Sequence, residues 1–89
     1  MRIREGFVLR RVMGKTVAVA VGPAGKSFRG MIKLNDTSRD IWEGVEKGLD
    51  ENGICELLCQ KYEVSRERAE ADVRQMIDTL RKHGVIEDE

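Results

Sequence analysis

The fold of this chain is decided by the stretch MIKLNDTSRDIW, residues 31–42, in which a strand pattern changes directly into a helix pattern. Residues 31–34 alternate between two faces, with Ile32 and Leu34 on the same one, as in a short β-strand. The next four residues, 35–38, are Asn-Asp-Thr-Ser, whose side-chain oxygens can cap the first turn of a helix. The stretch therefore predicts a short strand that runs straight into a helix.

Downstream of this junction the sequence predicts three helices. Asp50 and Ser65 are placed to cap the second and third, and Gly48 and Gly84 to end the first and third. The predicted ranges are about 36–47, 51–62 and 66–82. The third has the clearest periodicity, with apolar residues at Ala69, Val73, Met76, Ile77 and Leu80. The apolar stripe of the first is Ile41, Trp42 and Val45, with Trp42 interpreted as a core anchor.

Upstream, the first third of the chain predicts strands. Residues 7–12 and 16–21 alternate and are joined by Gly14-Lys15, a pair suited to a type II′ hairpin turn. Val17, Val19 and Val21 share one face of the second strand, with smaller residues opposite. A Gly- and Pro-containing loop at 22–27 leads to the third strand, at about 30–35.

The order of three strands followed by three helices predicts a single α+β domain spanning residues 1–89. One face of a three-stranded antiparallel meander would be covered by the helices. A small sheet beside two short helices and a longer one is also the content of a winged-helix domain, so the predicted class is α+β and winged-helix-like.

The formal net charge is zero, with 16 basic and 16 acidic residues, but the charge is unevenly distributed. Residues 1–33 contain eight basic residues and one acidic residue, a net charge of +7, and residues 34–89 carry −7. A neutral total argues against a nucleic-acid or membrane-surface protein, which usually has a basic excess. The strand region nevertheless predicts a local positive surface.

Several other classes of protein are disfavoured by composition. The chain has one His and no Ser-His-Asp or paired-carboxylate constellation, so we expect it not to be an enzyme and to need no cofactor. No apolar run approaches the ~18 residues of a membrane span, and no secretory signal follows the N-terminal arginines. Two cysteines do not form a disulfide framework, so the expected location is the cytoplasm.

Two motifs could suggest ligand chemistry. Gly25-Lys26-Ser27 resembles the end of a phosphate-binding loop, but Ala20 occupies the position of the motif's first glycine and no helix follows. Cys55 and Cys59 are four residues apart on one helix, whereas a structural zinc site needs four ligands. We therefore interpret the first as a surface loop and the cysteines as packing residues.

The third strand raises a functional question, because both outer strands of a meander are edges. Proteins usually protect an exposed edge with charge, proline or a bulge. Residues 30–35 contain no proline and a single charge, Lys33. Physical reasoning alone leaves two interpretations open, a short edge protected by Lys33 or an edge that accepts a peptide strand.

Several segments together resemble the PqqD-like family, named after coenzyme PQQ synthesis protein D and also called the RiPP recognition element. They are EGFVLR (5–10), GMIKLNDT (30–37) with Ile41-Trp42, AEADV (69–73), and Leu80 with GVI (84–86). The strand-to-helix segment and AEADV are the specific parts, and the resemblance covers about residues 5–86.

The resemblance implies a non-catalytic domain that binds the leader region of a ribosomally synthesised precursor peptide. The leader would add as a strand to strand 3, in a cleft with helix 3, and be presented to a modifying enzyme such as a radical SAM protein. The site residues that it implies are Met31, Ile32, Lys33 and Leu34 on strand 3 and Asp72, Val73, Met76 and Ile77 on helix 3. From the charge of the strand region, we expect an acidic leader, steered by Lys33 and Arg29.

Other functions stay open at this point. The first is a winged-helix protein that binds nucleic acid, although the predicted third helix mixes both charges and the basic excess lies in the strands. The others are a redox or metal accessory protein using the two cysteines, and a homodimer formed by edge pairing or domain swapping of strand 3.

Overall fold

The computed structural model describes residues 1–22 and 31–88. The elements in chain order are β1 (Arg2–Ile3), β2 (Phe7–Val12), β3 (Lys15–Ala20), β4 (Met31–Leu34), α1 (Asp36–Glu46), α2 (Glu51–Lys61), α3 (Arg66–Lys82) and β5 (Ile86–Glu87). The predicted α+β class is confirmed, with β2, β3 and β4 forming the three-stranded antiparallel sheet. Strand 3 of the prediction is β4. The predicted loop beyond Gly22, together with Lys26, Arg29 and Gly30, lies outside the described residues.

The hairpin between β2 and β3 turns one residue earlier than predicted. Val12 pairs with Lys15, so the two turn residues are Met13 and Gly14 rather than Gly14-Lys15. Both have positive φ angles, 53° and 80°, which is the pattern of a type I′ turn. The prediction of a type II′ turn was therefore wrong, because a methionine at the first turn position gives no sequence signal for a left-handed conformation.

The helix boundaries follow the predicted caps to within one residue. The side chain of Asn35 accepts a hydrogen bond from the Ser38 amide at 2.8 Å, and that of Asp50 accepts one from the Gly53 amide at 2.8 Å. Ser65 accepts one from the Arg68 amide at 3.1 Å. Each cap satisfies an amide that the first helical turn leaves unpaired, so local chemistry sets the start of every helix.

The two faces of the sheet differ in what they contact. The helix-facing face carries Phe7, Leu9, Arg11, Thr16, Ala18, Ala20, Ile32 and Leu34, of which Arg11 lies at the exposed end. The outer face carries Val8, Arg10, Val12, Lys15, Val17, Val19, Met31 and Lys33. The small residues of β3 thus face the helices, which lets the helices approach the sheet closely. The valines lie on the outer face, where Val17 is nevertheless buried, at 2% exposure.

The core lies among the helices and against the helix-facing face. Trp42, Ile54, Ile77, Leu80 and Val85 are fully buried, and Trp42 is confirmed as the anchor of α1. The Trp42 Nε1 donates to no acceptor in the part of the chain that the structure describes. Among the described residues, no helix is both long and apolar enough to cross a membrane.

The two ends of the chain form a second, two-stranded sheet that the sequence did not predict. Ile3 pairs with Ile86, and the Arg4 amide donates to the Val85 carbonyl oxygen at 2.7 Å. Arg2 also forms an ion pair with Glu87 at 3.1 Å. Val85 and Ile86 are both buried in the core, so this end of the chain is anchored to the body of the domain.

Candidate functional site

The predicted binding strand, β4, is an edge of the sheet. It pairs with β3 on one side, and residues 1–22 and 31–88 provide no strand on its other side. In an antiparallel pair, alternate residues direct their N–H and C=O groups away from the partner. The free edge of this four-residue strand therefore offers backbone donors and acceptors at every second residue.

The structure sorts the four predicted residues of β4 by face. Leu34 is 7% exposed and belongs to the core, and Ile32 is partly buried against the core. Met31 and Lys33 lie on the outer face, where Met31 is 54% exposed. A ligand strand beside β4 would contact Ile32 on the helix-facing face and Met31 and Lys33 on the outer face. Leu34 is buried and holds β4 against the core.

The four predicted residues of α3 are sorted in the same way. Val73 and Ile77 are buried in the core, at 1% and 0% exposure. Met76 is partly buried against that core, and Asp72 forms an ion pair with Arg68 at 3.3 Å. Met76 and Asp72 are thus accessible to a ligand, while Val73 and Ile77 fix the position of the helix.

The i, i+4 rows of α3 explain this division. The row Arg66, Glu70 and Arg74 lines a hollow against α2, and the buried row runs through Ala69, Val73 and Ile77. Arg68, Asp72 and Met76 form the row on the other side of the buried one, and we call it the open flank of α3. The two accessible site residues of the helix lie on the flank that α2 does not cover.

The strand β4 and the helix α3 share one core without packing closely against each other. β4 packs on β3 and α1, and α3 packs mainly on α2, with smaller contacts to α1 and β5. Leu34, Val73 and Ile77 nevertheless belong to the same apolar cluster, and Ile32 and Met76 lie at its margin. The predicted cleft would lie between the free edge of β4 and the open flank of α3, and we call this region the groove.

The charges on the two sides of this groove differ. Arg68 and Asp72 neutralise each other on α3. Lys33 is exposed and forms no ion pair with a carboxylate in the described part of the chain. On the outer face, Arg10, Val17 and Lys33 are neighbours across the three strands. The outer side of the groove is therefore positive, and the inner side is apolar with compensated charge.

The cysteines contribute packing rather than a site. Cys55 is 2% exposed in the core, and Cys59 is partly buried against it. Burial is the main cause that raises the pKa of the Cys55 thiol, which disfavours the reactive thiolate. Among residues 1–22 and 31–88, no group of three or more His, Cys, Asp or Glu side chains is placed to hold a metal ion.

Sequence reasoning missed a cluster around the buried Asp40, between α1 and the end of α2. Asp40, 3% exposed, accepts hydrogen bonds from the Tyr62 hydroxyl at 2.5 Å and from Lys61 Nζ at 3.0 Å. Burial, the largest single effect, acts to raise the pKa of Asp40, but the hydrogen bonds from Tyr62 and Lys61 outweigh it and the pKa is lowered. The bond to Asp40 in turn raises the pKa of Tyr62 to about 12. The cluster links α1 to the end of α2.

The sequence model of the family Coenzyme PQQ synthesis protein D (PqqD) matches residues 16–86, from β3 to β5. This chain belongs to the PqqD family. The matched range contains β4, α3 and all eight predicted site residues. No curated protein sequence matches the chain significantly.

Two solved structures resemble this PqqD-family chain over nearly their whole length. One is TbiB1 in complex with the TbiA(beta) leader peptide, with a TM-score of 0.80 and 21% identity, covering 100% of this chain and 98% of that one. The other is lasso peptide synthetase B1 complexed with the leader peptide, with a TM-score of 0.76 and 23% identity, covering 94% of this chain and 93% of that one. At this level of identity the likeness establishes a shared fold.

Proposed function

We propose that this PqqD-family chain binds the leader region of a ribosomally synthesised precursor peptide and presents it to a modifying enzyme. The leader would add as a strand to the free edge of β4, in the groove with α3. The observation that carries the proposal is the unpaired edge of β4, in a chain whose fold matches two proteins that were solved with leader peptides. The chain itself would carry out no chemical step.

The free energy of binding requires apolar contacts in the groove as well as backbone hydrogen bonds to β4. Backbone hydrogen bonds contribute about 0.5–1.5 kcal/mol each, so the few bonds that a four-residue edge offers do not reach the ~8 kcal/mol of a micromolar complex. Apolar contacts must supply the difference. Ile32 and Met76 are placed to do so, because both border the groove and are only partly buried without a ligand. The flexible thioether of Met76 would suit side chains of different shapes.

The eight residues would then have three different roles. Ile32 and Met76 contact the peptide's inward side chains, and Met31 and Lys33 contact its outward ones. Asp72 orders the open flank through its ion pair with Arg68. Leu34, Val73 and Ile77 are buried and position the two walls of the groove.

A modifying enzyme is the partner that follows from this role, and a radical SAM enzyme is the class that we propose. Pairing of two copies through β4 would occupy the same edge as the peptide and compete with it. Nucleic-acid binding finds less support in the charges of α3. Arg66, Arg68 and Arg81 each lie within 4 Å of a carboxylate, which leaves them less available to phosphates.

A titration with the leader segment of the precursor peptide tests the proposal by NMR. We expect amide shift changes concentrated on residues 31–34 and on the open flank of α3. The matched control is Arg74→Ala, on the opposite flank of α3, which should leave the affinity unchanged, whereas Met76→Ala should weaken binding about tenfold. Shift changes on β2 instead, or no binding at tens of micromolar, would refute the site.

Proline substitutions test the backbone contact itself. Ile32→Pro and Lys33→Pro each remove one amide, and since N–H directions alternate along β4, only one of the two amides points to the free edge. The proline that removes the outward amide should abolish leader binding while circular dichroism shows an intact fold. If both variants keep the fold and the affinity, the peptide does not pair with β4.

A further inference from the structure

The outer face of the sheet continues directly into the free edge of β4. A strand added there would place alternate side chains on this face, next to Met31 and Lys33. The side chain between those two would point inward, next to Ile32. The position of Lys33 therefore imposes a chemical requirement on one particular residue of the peptide, and this inference rests on the proposed function.

The outer face has an ordered arrangement of apolar and basic residues. Val8, Val19 and Met31 form an apolar row across the three strands. The adjacent row is Arg10, Val17 and Lys33, with a cation at each end. The eight outer-face residues of the three strands include three cations and no carboxylate. Met31 ends the apolar row at the free edge, and Lys33 ends the basic one.

The cations of this face have no acidic partner in the part of the chain that the structure describes. Arg10, Lys15 and Lys33 are exposed, and within the described ranges none of them lies within ion-pair distance of a carboxylate. Arg10 lies two strand spacings from Lys33, about 10 Å, which exceeds the Debye length of about 8 Å at physiological salt, so Lys33 supplies most of the potential at the free edge. A neighbouring strand lies about 5 Å from β4, so a carboxylate opposite Lys33 would be within reach of its ammonium group.

The inward side makes no such demand. Ile32 and Met76 are apolar, and the nearest charges on the open flank of α3 are Arg68 and Asp72, which pair with each other at 3.3 Å. Charge selection by the groove should therefore come from its outer side alone.

We infer that the peptide bound at β4 carries an aspartate or glutamate opposite Lys33, an apolar residue two positions away opposite Met31, and an apolar residue between them against Ile32. Lys33 is then the residue that determines specificity for acidic peptides. The signature is three consecutive residues, which are apolar, apolar and acidic when read along β4 from Met31 to Lys33.

A displayed library of short random peptides, selected against the full chain at physiological salt, tests this inference. We expect the enriched peptides to share the three-residue signature. Replacing the acid by lysine in a synthetic copy of an enriched peptide should weaken binding by about three- to tenfold, as for a partly exposed ion pair.

The decisive experiment repeats the selection with the charge of Lys33 reversed. Selection against Lys33→Glu should enrich lysine or arginine at the position that was acidic, and Lys33→Gln should remove the preference. Lys15→Glu is the matched control, because Lys15 is an exposed cation of the outer face that does not lie on β4, and it should keep the acidic preference. Both substituted positions, Lys33 and Lys15, are exposed, so the fold should be retained in all three variants, and circular dichroism checks this.

Two results overturn the inference, namely enriched peptides without an acid at a fixed position, or an acidic preference that Lys33→Glu leaves unchanged. Failure of the proposed function gives a different result. In that case no peptide is enriched, or the enriched peptides cause NMR shift changes away from residues 31–34, and both proposals fall together.

Discussion

The sheet and the helices of this domain differ in how far their cations are paired with carboxylates and in how far their apolar side chains are buried. In the helices the cations are largely paired, as in the Arg66–Glu70 and Arg68–Asp72 ion pairs. In the sheet, Arg10, Lys15 and Lys33 have no ion-pair partner among the described residues. Four of the five exposed large apolar residues that the structure describes, Val12, Met13, Val21 and Met31, also belong to the sheet or the loops beside it.

This difference indicates that the helices mainly stabilise the domain and that the sheet provides the surface for the proposed peptide. The helices bury their apolar residues in the core and neutralise their own charges, which stabilises the domain. Among the described residues, the sheet has an edge without a neighbouring strand, cations without an acidic partner and exposed apolar side chains. These are the groups that the proposed peptide would contact. The zero net charge of the chain is thus a sum of two surfaces with different roles.

The largest expected effect tests whether stability resides in the helices. Ile77→Ala removes a side chain with 0% exposure and should lower the free energy of unfolding by about 2–5 kcal/mol, because it leaves a cavity in the core. Val12→Ala, on the 44% exposed side chain of β2, should change it by less than about 0.5 kcal/mol. Urea unfolding followed by Trp42 fluorescence measures both. Similar losses in the two variants would contradict the division.

The next test asks how much the close packing of α1 against α2 contributes to the stability of the domain. A Cβ atom on Gly44 would lie 2.9 Å from Cγ1 of the buried Ile54. Gly44→Ala should therefore destabilise the domain by about 1–3 kcal/mol, although alanine favours a helix by about 1 kcal/mol. At Gly53 the nearest atom would be Asp50 Oδ1 at 3.3 Å, so Gly53→Ala should cost less. If Gly44→Ala raised the melting temperature, the two helices would not be in close contact.

The third test concerns the ionisation of Tyr62, which forms a cluster with Lys61 and the buried Asp40. Tyr62 is the single tyrosine of the chain, so absorbance at 295 nm reports its ionisation, which we expect at a pKa of about 12. Asp40→Asn removes the negative charge and should move that pKa toward 10.0, the ordinary value. A tyrosine that titrates at the same pH in both proteins would show that the two groups do not interact. Far-ultraviolet circular dichroism at each pH verifies that the chain is folded.

The same cluster sets a direction for the dependence of stability on pH. The pKa of Asp40 is lowered in the folded chain, so its contribution is present above about pH 3.9 and is lost as the pH falls below that value. The pKa of Tyr62 is raised, so its contribution is present below pH 10.0 and is lost as the pH rises toward about 12. Asp40→Asn should reduce both losses.

The smallest expected effect concerns the ion pairs on the surface of α3. Arg68→Ala breaks the pair with Asp72 but should lower stability by no more than about 0.5 kcal/mol, since Arg68 is exposed. It would leave Asp72 uncompensated on the open flank, and an acidic leader should then bind more weakly. Equal binding of the leader by both proteins, measured by fluorescence anisotropy, would show that Asp72 does not influence the groove.

Much of the fold could be predicted from short stretches of sequence. The caps Asn35, Asp50 and Ser65 act on amides three residues away, so the start of each helix is a local property. The apolar spacing from Ala69 to Leu80 identified the buried row of α3, because the helical period alone brings those residues together. For the site, the sequence predicted two segments but not which of their residues are buried in the core and which are accessible to a ligand.

The three helices, the three-stranded meander and the uneven charge follow from the sequence alone, because capping, alternation and composition act over a few residues. Which residues border the groove depends instead on how the elements pack together. Met76 and Val73 lie on neighbouring rows of one helix, and their roles differ because α2 and the core cover one side of α3 and not the other. The same holds for the burial of Asp40 and for the pairing of Ile3 with Ile86, which depend on contacts between residues far apart in the chain.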